Sequence, residues 1–223
     1  MGKTKPGIKK STKYPKLGRT SLDFARPGMF TPEGRLLQVE WARKCPSGGN
    51  LIVAMKTSDG LLLAKGKLPV KAELERGIPL IWHITPTVAF VATGNIGDMF
   101  HVYDMLTIEH TETFTDAARK IRAVLHEYAV STIKRPLSLL ILLGGVENGA
   151  QKIANIDILG YQRDCDAWAV GNGDAEALNL LSGSWKPSIN RESGLRLIKK
   201  IYAHAQYGSS DLETCFLPKP NSK

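Results

Sequence analysis

Residues 30–42 read Phe-Thr-Pro-Glu-Gly-Arg-Leu-Leu-Gln-Val-Glu-Trp-Ala, and this stretch predicts where regular structure begins. Thr31 is a favourable N-cap, Pro32 suits the first helical position, and Glu33 lies at the positive end of the helix dipole. Four apolar side chains then fall on two rows at helical spacing: Leu36 with Val39, and Leu37 with Trp41. The pattern predicts an amphipathic helix over residues 35–44, led by the Thr31 turn.

Beyond this helix, apolar strands alternate with pairs of amphipathic helices. The predicted strands are 50–57, 61–64, 80–84, 88–93, 137–144, 151–158, 165–170 and 211–217, and the predicted helices are 97–110, 115–134, 174–182 and 190–206. Runs of strands separated by helix pairs are typical of an α+β fold with antiparallel sheets. Two sheets packed face to face, with a helix pair on each outer face, would bury every apolar stripe.

Turn and cap residues support these boundaries. Ser58-Asp59-Gly60 and Asn148-Gly149 predict two hairpin turns, because both sequences contain the Gly that tight turns require. Thr115 is the predicted cap of the helix over 115–134, and Arg135-Pro136 is predicted to stop it.

The composition is that of an ordinary globular chain: 223 residues with 43% hydrophobic and 23% charged side chains. No apolar stretch approaches the roughly 20 residues of a membrane span, and the N-terminus lacks the apolar segment of a secretory signal. The three cysteines form no CxxC pair, which favours a reducing compartment. We therefore expect no membrane partner.

The net charge of +9 is concentrated at one end of the chain. Residues 1–22 contain seven basic side chains and no acidic one, which leaves 23 basic against 21 acidic side chains in the rest. We therefore predict a flexible basic tail over 1–22, a single domain over 23–217 and a short C-terminal tail over 218–223.

No residue pattern in the chain supports a catalytic, metal or cofactor site. The five histidines include no i,i+4 pair, and no GxSxG elbow or phosphate-binding loop is present. Gly171-Asn172-Gly173 is more typical of a strand-to-helix turn than of dinucleotide binding. Asp164 and Asp166 could form an acid–base pair, although solvated edge charges are the more ordinary interpretation. We expect no cofactor and no metal.

Residues 30–42 resemble the N-terminal signature of proteasome α subunits, with Thr31 in place of the usual Ser and Trp41 in place of Tyr. The resemblance continues in register to about residue 217. The segments that carry it are 59–64, 91–98, 135–136, 169–173 and 212–215. It implies the N-terminal-nucleophile fold, a four-layer αββα sandwich, which agrees with the layering predicted from the elements.

In that fold, catalytic members use an N-terminal Thr whose hydroxyl attacks the peptide while its own amine acts as base. The matching position here is Asn50, which has no nucleophilic oxygen and is preceded by 49 residues. The acidic partner falls at about Lys65, and the lysine that tunes the nucleophile falls at about Leu80. The resemblance therefore implies a subunit that is not an enzyme.

The resemblance also implies partners. In the family, α subunits form a seven-membered ring that caps the catalytic β ring of the 20S core and serves intracellular, including ubiquitin-dependent, protein degradation. Other α subunits and β-ring subunits are the expected partners, with regulatory ATPase or activator particles as further candidates and nucleic acid not expected. The expected location is the cytoplasm and nucleus, or the cytoplasm alone in a prokaryote.

Site residues follow from the same resemblance. The residues assigned to the ring-contact helix are Arg35, Gln38 and Glu40, and those assigned to the support of the axial gate are Asp23, Pro32 and Trp41. Asp23 matches only with one extra residue before Phe30, and its neighbours Leu22 and Phe24 depart from the usual Tyr and Arg.

Two further departures concern docking and length. Residues 77–83 contain no lysine to pair with an activator's C-terminal carboxylate, and Arg76 is a poor substitute by position. The sequence ends soon after Leu217, so the family's final strand and helix are expected to be absent. Such divergence favours a mixed ring of the eukaryotic type.

Two alternatives stay open at this point. A relative that has left the ring could use residues 1–22 as a basic arm for RNA or another acidic partner. An independent hydrolase would need processing that exposes a new N-terminal nucleophile, such as Cys45 or Ser47.

Overall fold

The computed structural model describes residues 28–66, 79–205 and 212–219. Within those ranges the helices are α1 (Leu37–Ser47), α2 (Ile96–Ile108), α3 (Phe114–Val130), α4 (Asp174–Ser184) and α5 (Arg191–His204). The strands are β1 (Ile52–Thr57), β2 (Gly60–Gly66), β3 (Ile81–Thr85), β4 (Val88–Gly94), β5 (Leu139–Glu147), β6 (Ala150–Ile156), β7 (Gln162–Asp164), β8 (Ala167–Val170) and β9 (Leu212–Pro218).

The strands form two antiparallel sheets. The first has the order β8-β1-β2-β9, and the second has the order β3-β4-β5-β6-β7. Alternate side chains of β1 and β2 pack against the second sheet, because successive strand residues point to opposite faces. The contacting residues of β1 and β2 are Ile52, Ala54, Leu61 and Leu63, and those of the second sheet include Ala89, Val91, Leu142 and Ile153.

The other faces of both sheets are covered by helices. Val53, Met55, Leu62 and Ala64 of the first sheet pack against α4 and α5. Phe90, Ala92, Ile141 and Leu143 of the second sheet pack against α2 and α3. The layers are therefore helices, sheet, sheet and helices, which confirms the predicted four-layer α+β sandwich.

Both predicted hairpin turns are present. Thr57 pairs with Gly60 across the first turn, and Glu147 pairs with Ala150 across the second. Asn148 and Gly149 have φ values of 52° and 75°, as a two-residue turn with both central residues left-handed requires.

The predicted start of the first helix is wrong. Gly34 has φ of 79°, which helical residues do not adopt, so α1 begins only at Leu37 and Leu36 occupies its N-cap position. Thr31 instead closes a separate turn: its carbonyl accepts the Gly34 N–H at 2.8 Å, and its hydroxyl accepts the Arg35 N–H at 3.2 Å.

The predicted ends of α3 are also wrong. Thr113, not Thr115, caps the helix by accepting the Asp116 N–H at 3.1 Å, and Thr115 lies in the first turn. The helix ends at Val130 because Ser131 is extended and its hydroxyl accepts the N–H groups of Ile133 and Lys134. Pro136 therefore follows a turn and does not itself stop the helix.

The remaining differences lie at the edges of the predicted elements. Strand β7 was not predicted, because only three residues form it. Strand β9 extends to Pro218, one residue beyond the predicted domain boundary. The predicted basic tail lies outside the described residues, and no helix within them is long and apolar enough to cross a membrane.

Candidate functional site

Helix α1 closes the end of the sandwich where β4 ends and β5 begins. The Ser138 hydroxyl donates to the Ala42 carbonyl at 2.6 Å, and the Arg43 guanidinium lies 3.9 Å from the Asp157 carboxylate. Val39 and Pro46 are buried under the helix. The helix is therefore anchored across the strand ends by one short hydrogen bond and two apolar side chains.

An ion pair between a buried carboxylate and an exposed guanidinium lies next to this anchor. Asp98, only 4% exposed in the first turn of α2, accepts two hydrogen bonds from the Arg135 guanidinium at 2.6 and 2.8 Å. It also accepts the Ser138 N–H at 2.8 Å. The hydrogen bonds to Asp98 raise the pKa of Arg135 above its ordinary value. Three strong donors thus satisfy the buried carboxylate and fix α2 to the start of β5.

The sequence patterns did not reveal this cluster, because Asp98 and Arg135 are 37 positions apart. In the sequence, Arg135 belongs to a predicted helix stop and Asp98 to a predicted helix, and both lie in segments that carry the family resemblance, but nothing pairs them. A charged residue within an otherwise apolar helix start was the one available signal.

The predicted nucleophile position, Asn50, lies between α1 and β1. Its side-chain Nδ2 donates to the Gly66 carbonyl at 3.0 Å, and the preceding carbonyl of Gly49 accepts the Asn172 N–H at 2.8 Å. The backbone nitrogen of Asn50 belongs to a peptide bond, and its side chain carries an amide. Neither group can act as the amine base or the attacking hydroxyl of an N-terminal nucleophile.

Lys65 occupies the position expected for the acidic partner. Its side chain is buried, with 5% exposed, and within the described ranges its amine contacts the Met99 sulfur alone, at 3.9 Å. Burial lowers the pKa of Lys65 to about 8, against a smaller opposing effect of Glu213. Strand β2, which carries Lys65, ends beside Asn50, so the fold brings Asn50 and Lys65 together. Leu80, the position expected for the lysine that tunes the nucleophile, is half-buried at the entry to β3.

The Thr93 hydroxyl lies at the same junction. It is buried without a hydrogen-bond partner among the described residues, and it leaves no room for a β-carbon at Gly49. The junction is therefore closely packed and carries an amide, an amine and a hydroxyl.

The predicted ring and gate residues lie on the outer surface of α1 and its leading turn. Arg35 and Glu40 form an ion pair with one another, which lowers the pKa of the Glu40 carboxyl, and Gln38 is half-buried. Pro32 is exposed and Trp41 is 48% exposed, while Asp23 lies outside the described residues. Large apolar side chains at this surface are thus available for contact with another chain.

The other candidate groups have ordinary structural partners. Asp166 pairs with Lys56 at 2.7 Å, and Asp164 accepts the Gln162 amide at 2.7 Å. With Cys165 they line a cavity of about 600 Å³ beside α3. Burial raises the pKa of Cys165 to about 11, so its thiol is protonated at neutral pH.

Gly171 and Gly173 both have positive φ and form the turn into α4, as that glycine pattern predicted. No group of three or more potential ligands that could hold a metal ion occurs within the described residues.

Comparison with known proteins agrees with this architecture. A sequence model described as proteasome subunit matches residues 47–213. Proteasome subunit alpha 2 of Haloarcula marismortui is 24% identical over 185 residues, which cover 78% of this chain and 76% of the relative. Proteasome subunit alpha of Methanobrevibacter smithii is 26% identical over 76% of this chain and 72% of the relative. That of Methanocaldococcus jannaschii is 27% identical over 76% and 69%.

Proposed function

Because the chain belongs to the proteasome subunit family, we propose that it is a non-catalytic α-type subunit of a 20S proteasome core. The relatives reported above are all named as proteasome subunit alpha, and they align over most of this chain. In this role the chain helps to form the ring through which substrates pass on their way to degradation by other subunits.

The observation that carries the proposal is the junction between α1 and β1. In this fold the catalytic amine and hydroxyl belong to the first residue of the first strand. Here α1 leads through Gly48 and Gly49 directly into that strand, and Asn50 is held at the junction by its bond to Gly66. The helix takes the place of a free N-terminus, so the chain supplies no attacking group.

The geometry also argues against activation by processing. Cys45 and Ser47, the two residues that cleavage could expose, lie within α1, and the Ser47 hydroxyl donates to the Arg43 carbonyl at 2.7 Å. Cleavage there would remove most of a helix whose Val39 closes the sandwich end. We therefore propose that the chain functions uncleaved.

The partners proposed for the chain are neighbouring α-type subunits and a β-type ring. The surface proposed for the ring contact is α1 with its leading turn, where Phe30 and Trp41 are 62% and 48% exposed. Pro32 and Trp41 are proposed to support the gate, together with Asp23. Docking of regulators at this subunit would lack the usual lysine, and the location proposed for the chain is the cytoplasm.

The test is assembly with the cognate α-type and β-type subunits, followed by native mass spectrometry. We expect a ring complex that contains the chain with its N-terminal helix uncleaved, and no peptidase activity from the isolated chain. The variant N50T should also be inactive, because its threonine would lack a free amine. Peptidase activity of the isolated chain, with a trimmed and modified first residue, would exclude the proposed role.

A matched pair of variants tests the ring surface. W41A should reduce incorporation into the complex, whereas I108A, whose side chain at the C-terminal end of α2 is 74% exposed, should not. Equal incorporation of both variants would show that α1 does not carry the ring contact.

A further inference from the structure

Helices α1 and α3 differ in how much of each is buried. Helix α1 has 11 residues, and its buried residues are Val39 and Pro46. Helix α3 has 17 residues, and its buried residues are Phe114, Ala117, Ala118, Ile121, Leu125 and Ala129. Apolar burial is the main force that holds an element in place, and a free helix shorter than about 12 residues is marginal in water. Helix α1 therefore depends on a small contact with the sandwich.

The two ends of α1 contribute little to its stability. Leu36 at the N-cap position has no side-chain oxygen, whereas the Thr113 hydroxyl caps α3. Pro46 lies inside α1 and has no backbone N–H to donate to the preceding turn. The Arg43 guanidinium is 51% exposed and lies 3.9 Å from the Asp157 carboxylate, so solvent weakens this pair.

The middle of α1 is fastened through Ser138. The Ser138 hydroxyl donates to the Ala42 carbonyl at 2.6 Å, and the Ser138 N–H is itself held by Asp98 at 2.8 Å. The fastening point is therefore fixed to α2, which belongs to the rigid part of the sandwich. Loss of this hydrogen bond would leave α1 held mainly by its two buried side chains.

Two glycines join α1 to β1, and only the second is held by the sandwich. The Gly49 carbonyl accepts the Asn172 N–H at 2.8 Å. Among the described residues, a β-carbon at Gly48 would lie 3.7 Å from its nearest neighbour, the Lys44 carbonyl oxygen of α1 itself. Glycine adopts many backbone conformations at low cost, and a few such residues at the end of an element can absorb a hinge motion. Gly48 is thus placed as a pivot for α1.

We propose that α1 is a strap that opens from the end of the sandwich about Gly48 in the free chain and closes when a neighbouring subunit covers it. The opening follows from the contacts of this chain alone. The closing rests on the proposed function, because it needs a neighbour in the ring. Trp41 is 48% exposed on the closed helix, so a neighbour that covers it adds apolar burial that the free chain lacks.

The opening couples the fold of α1 to assembly. The proposed ring surface exists only while α1 is closed, since Trp41 is carried by this helix. A neighbour that binds the closed form shifts the equilibrium towards it. The free chain then presents its ring surface for part of the time, and the complex presents it continuously.

The first experiment measures deuterium exchange in the isolated full-length chain by mass spectrometry, at a concentration where native mass spectrometry shows a monomer. We expect the amides of α1 to exchange at least about 100-fold faster than those of α3, after correction for intrinsic rates, because α1 opens without unfolding of the sandwich. Equal protection of the two helices would overturn the proposal.

A glycine pair tests the pivot. G48A should slow exchange in α1 by about two- to fivefold, because the new β-carbon fits the closed form and restricts the open one. G183A makes the same chemical change in α4, where no described atom lies within 4 Å of the new carbon, and should leave α1 exchange unchanged. The same α1 exchange in both variants would exclude Gly48 as the pivot.

A serine pair tests the fastening and should act in the opposite direction. S138A removes the hydroxyl that bonds Ala42 and keeps the N–H that bonds Asp98, so α1 exchange should become about fivefold faster with α3 unchanged. S182A removes a hydroxyl that bonds the Asn179 carbonyl within α4 and should leave α1 unchanged. Unchanged α1 exchange in S138A would contradict the strap.

The second experiment repeats the exchange measurement on the complex assembled with cognate α-type and β-type subunits. We expect α1 to exchange at least about 100-fold more slowly in the complex than in the free chain, because the neighbour binds only the closed form. The same α1 exchange in both states would overturn the closing step. Absence of the chain from the complex would instead refute the proposed function, and the free chain alone would still decide whether α1 opens.

Discussion

Two buried charges at neighbouring points of the structure are treated in opposite ways. The Asp98 carboxylate accepts two hydrogen bonds from Arg135 and one from the Ser138 backbone. Among the described residues, the Lys65 amine makes one polar contact, with the sulfur of Met99, and it is attracted only weakly by Glu213. A buried charge with matched donors holds elements together, whereas one without a partner costs free energy and loses affinity for its proton. The first site therefore stabilises the junction, and the second weakens it.

Removal of the Asp98 carboxylate should have the largest effect on stability. D98A removes three charge-assisted hydrogen bonds and leaves the buried Ser138 N–H unbonded, whereas Arg135, which is 56% exposed, becomes solvated. We therefore expect the free energy of unfolding to fall by about 2–4 kcal/mol. Denaturant unfolding of the isolated chain measures this loss. E192A, which breaks the exposed pair with Arg196, is the control and should cost under about 0.5 kcal/mol. If D98A lost as little stability as E192A, the distinction drawn between Asp98 and Lys65 would be wrong.

Removal of the Lys65 amine should change stability in the opposite direction. K65M keeps the buried length of the side chain and deletes the amine, so we expect stability at pH 7 to rise by about 2–3 kcal/mol. The lowered pKa of Lys65 also predicts that stability depends on pH. Because the pKa of Lys65 is about 8 in the folded chain and 10.5 in the reference state, the unfolded chain binds more protons between these values. The stability of the native sequence should therefore rise relative to K65M from pH 8 to 10.5.

Unfolding curves of the native sequence and of K65M at pH 7, 9 and 10.5 check both the gain in stability and its pH dependence. K56M is the matched control, since Lys56 is partly exposed and paired with Asp166. A constant difference between native sequence and K65M across this range would mean that the Lys65 amine is solvated.

A second carboxylate, that of Glu147, extends the comparison and should have a smaller effect on stability. Glu147 accepts hydrogen bonds from Lys152 and Thr115, which lower its pKa to about 2. Its contribution is present above the ordinary pKa of 4.5 and should be lost as the pH falls towards 2. We expect E147Q to cost about 1 kcal/mol at pH 7, since the pair is only partly buried, and to remove this part of the acid dependence. Equal acid midpoints for E147Q and the native sequence would contradict the assignment.

The smallest effect on stability is expected at the proposed ring surface. W41A should change the free energy of unfolding of the isolated chain by less than about 0.5 kcal/mol, because the Trp41 side chain is half exposed. Thermal unfolding of the isolated variant measures this effect. A large loss would show that Trp41 serves the fold of its own chain rather than contact with a neighbour.

Much of the architecture could be predicted from the sequence because it depends on local patterns. Continuous apolar runs in 50–57 and 61–64 placed β1 and β2, and Asn148-Gly149 placed a hairpin, since such turns require left-handed residues. The order of strands and helix pairs then led to the sandwich, because each apolar face has to be buried. The same reasoning placed Asn50 at the start of the first strand.

The predicted boundaries failed where a single residue overrode a favourable pattern. Thr31 and Pro32 form a good helix start, but the left-handed Gly34 ends the turn and delays α1 to Leu37. Thr113 and Thr115 are equally good caps by type, and only the position of Glu147 on β5 assigns Thr115 another role.

The sequence by itself determined the elements, their layering and the absence of a nucleophile at residue 50, because these depend on residue type and on spacing within one element. Only the tertiary structure decided which charges meet. Asp98 and Arg135 become partners, and Lys65 is buried against Met99, through the packing of segments far apart in the chain. Burial and electrostatic pairing depend on distance in space, which no local pattern encodes.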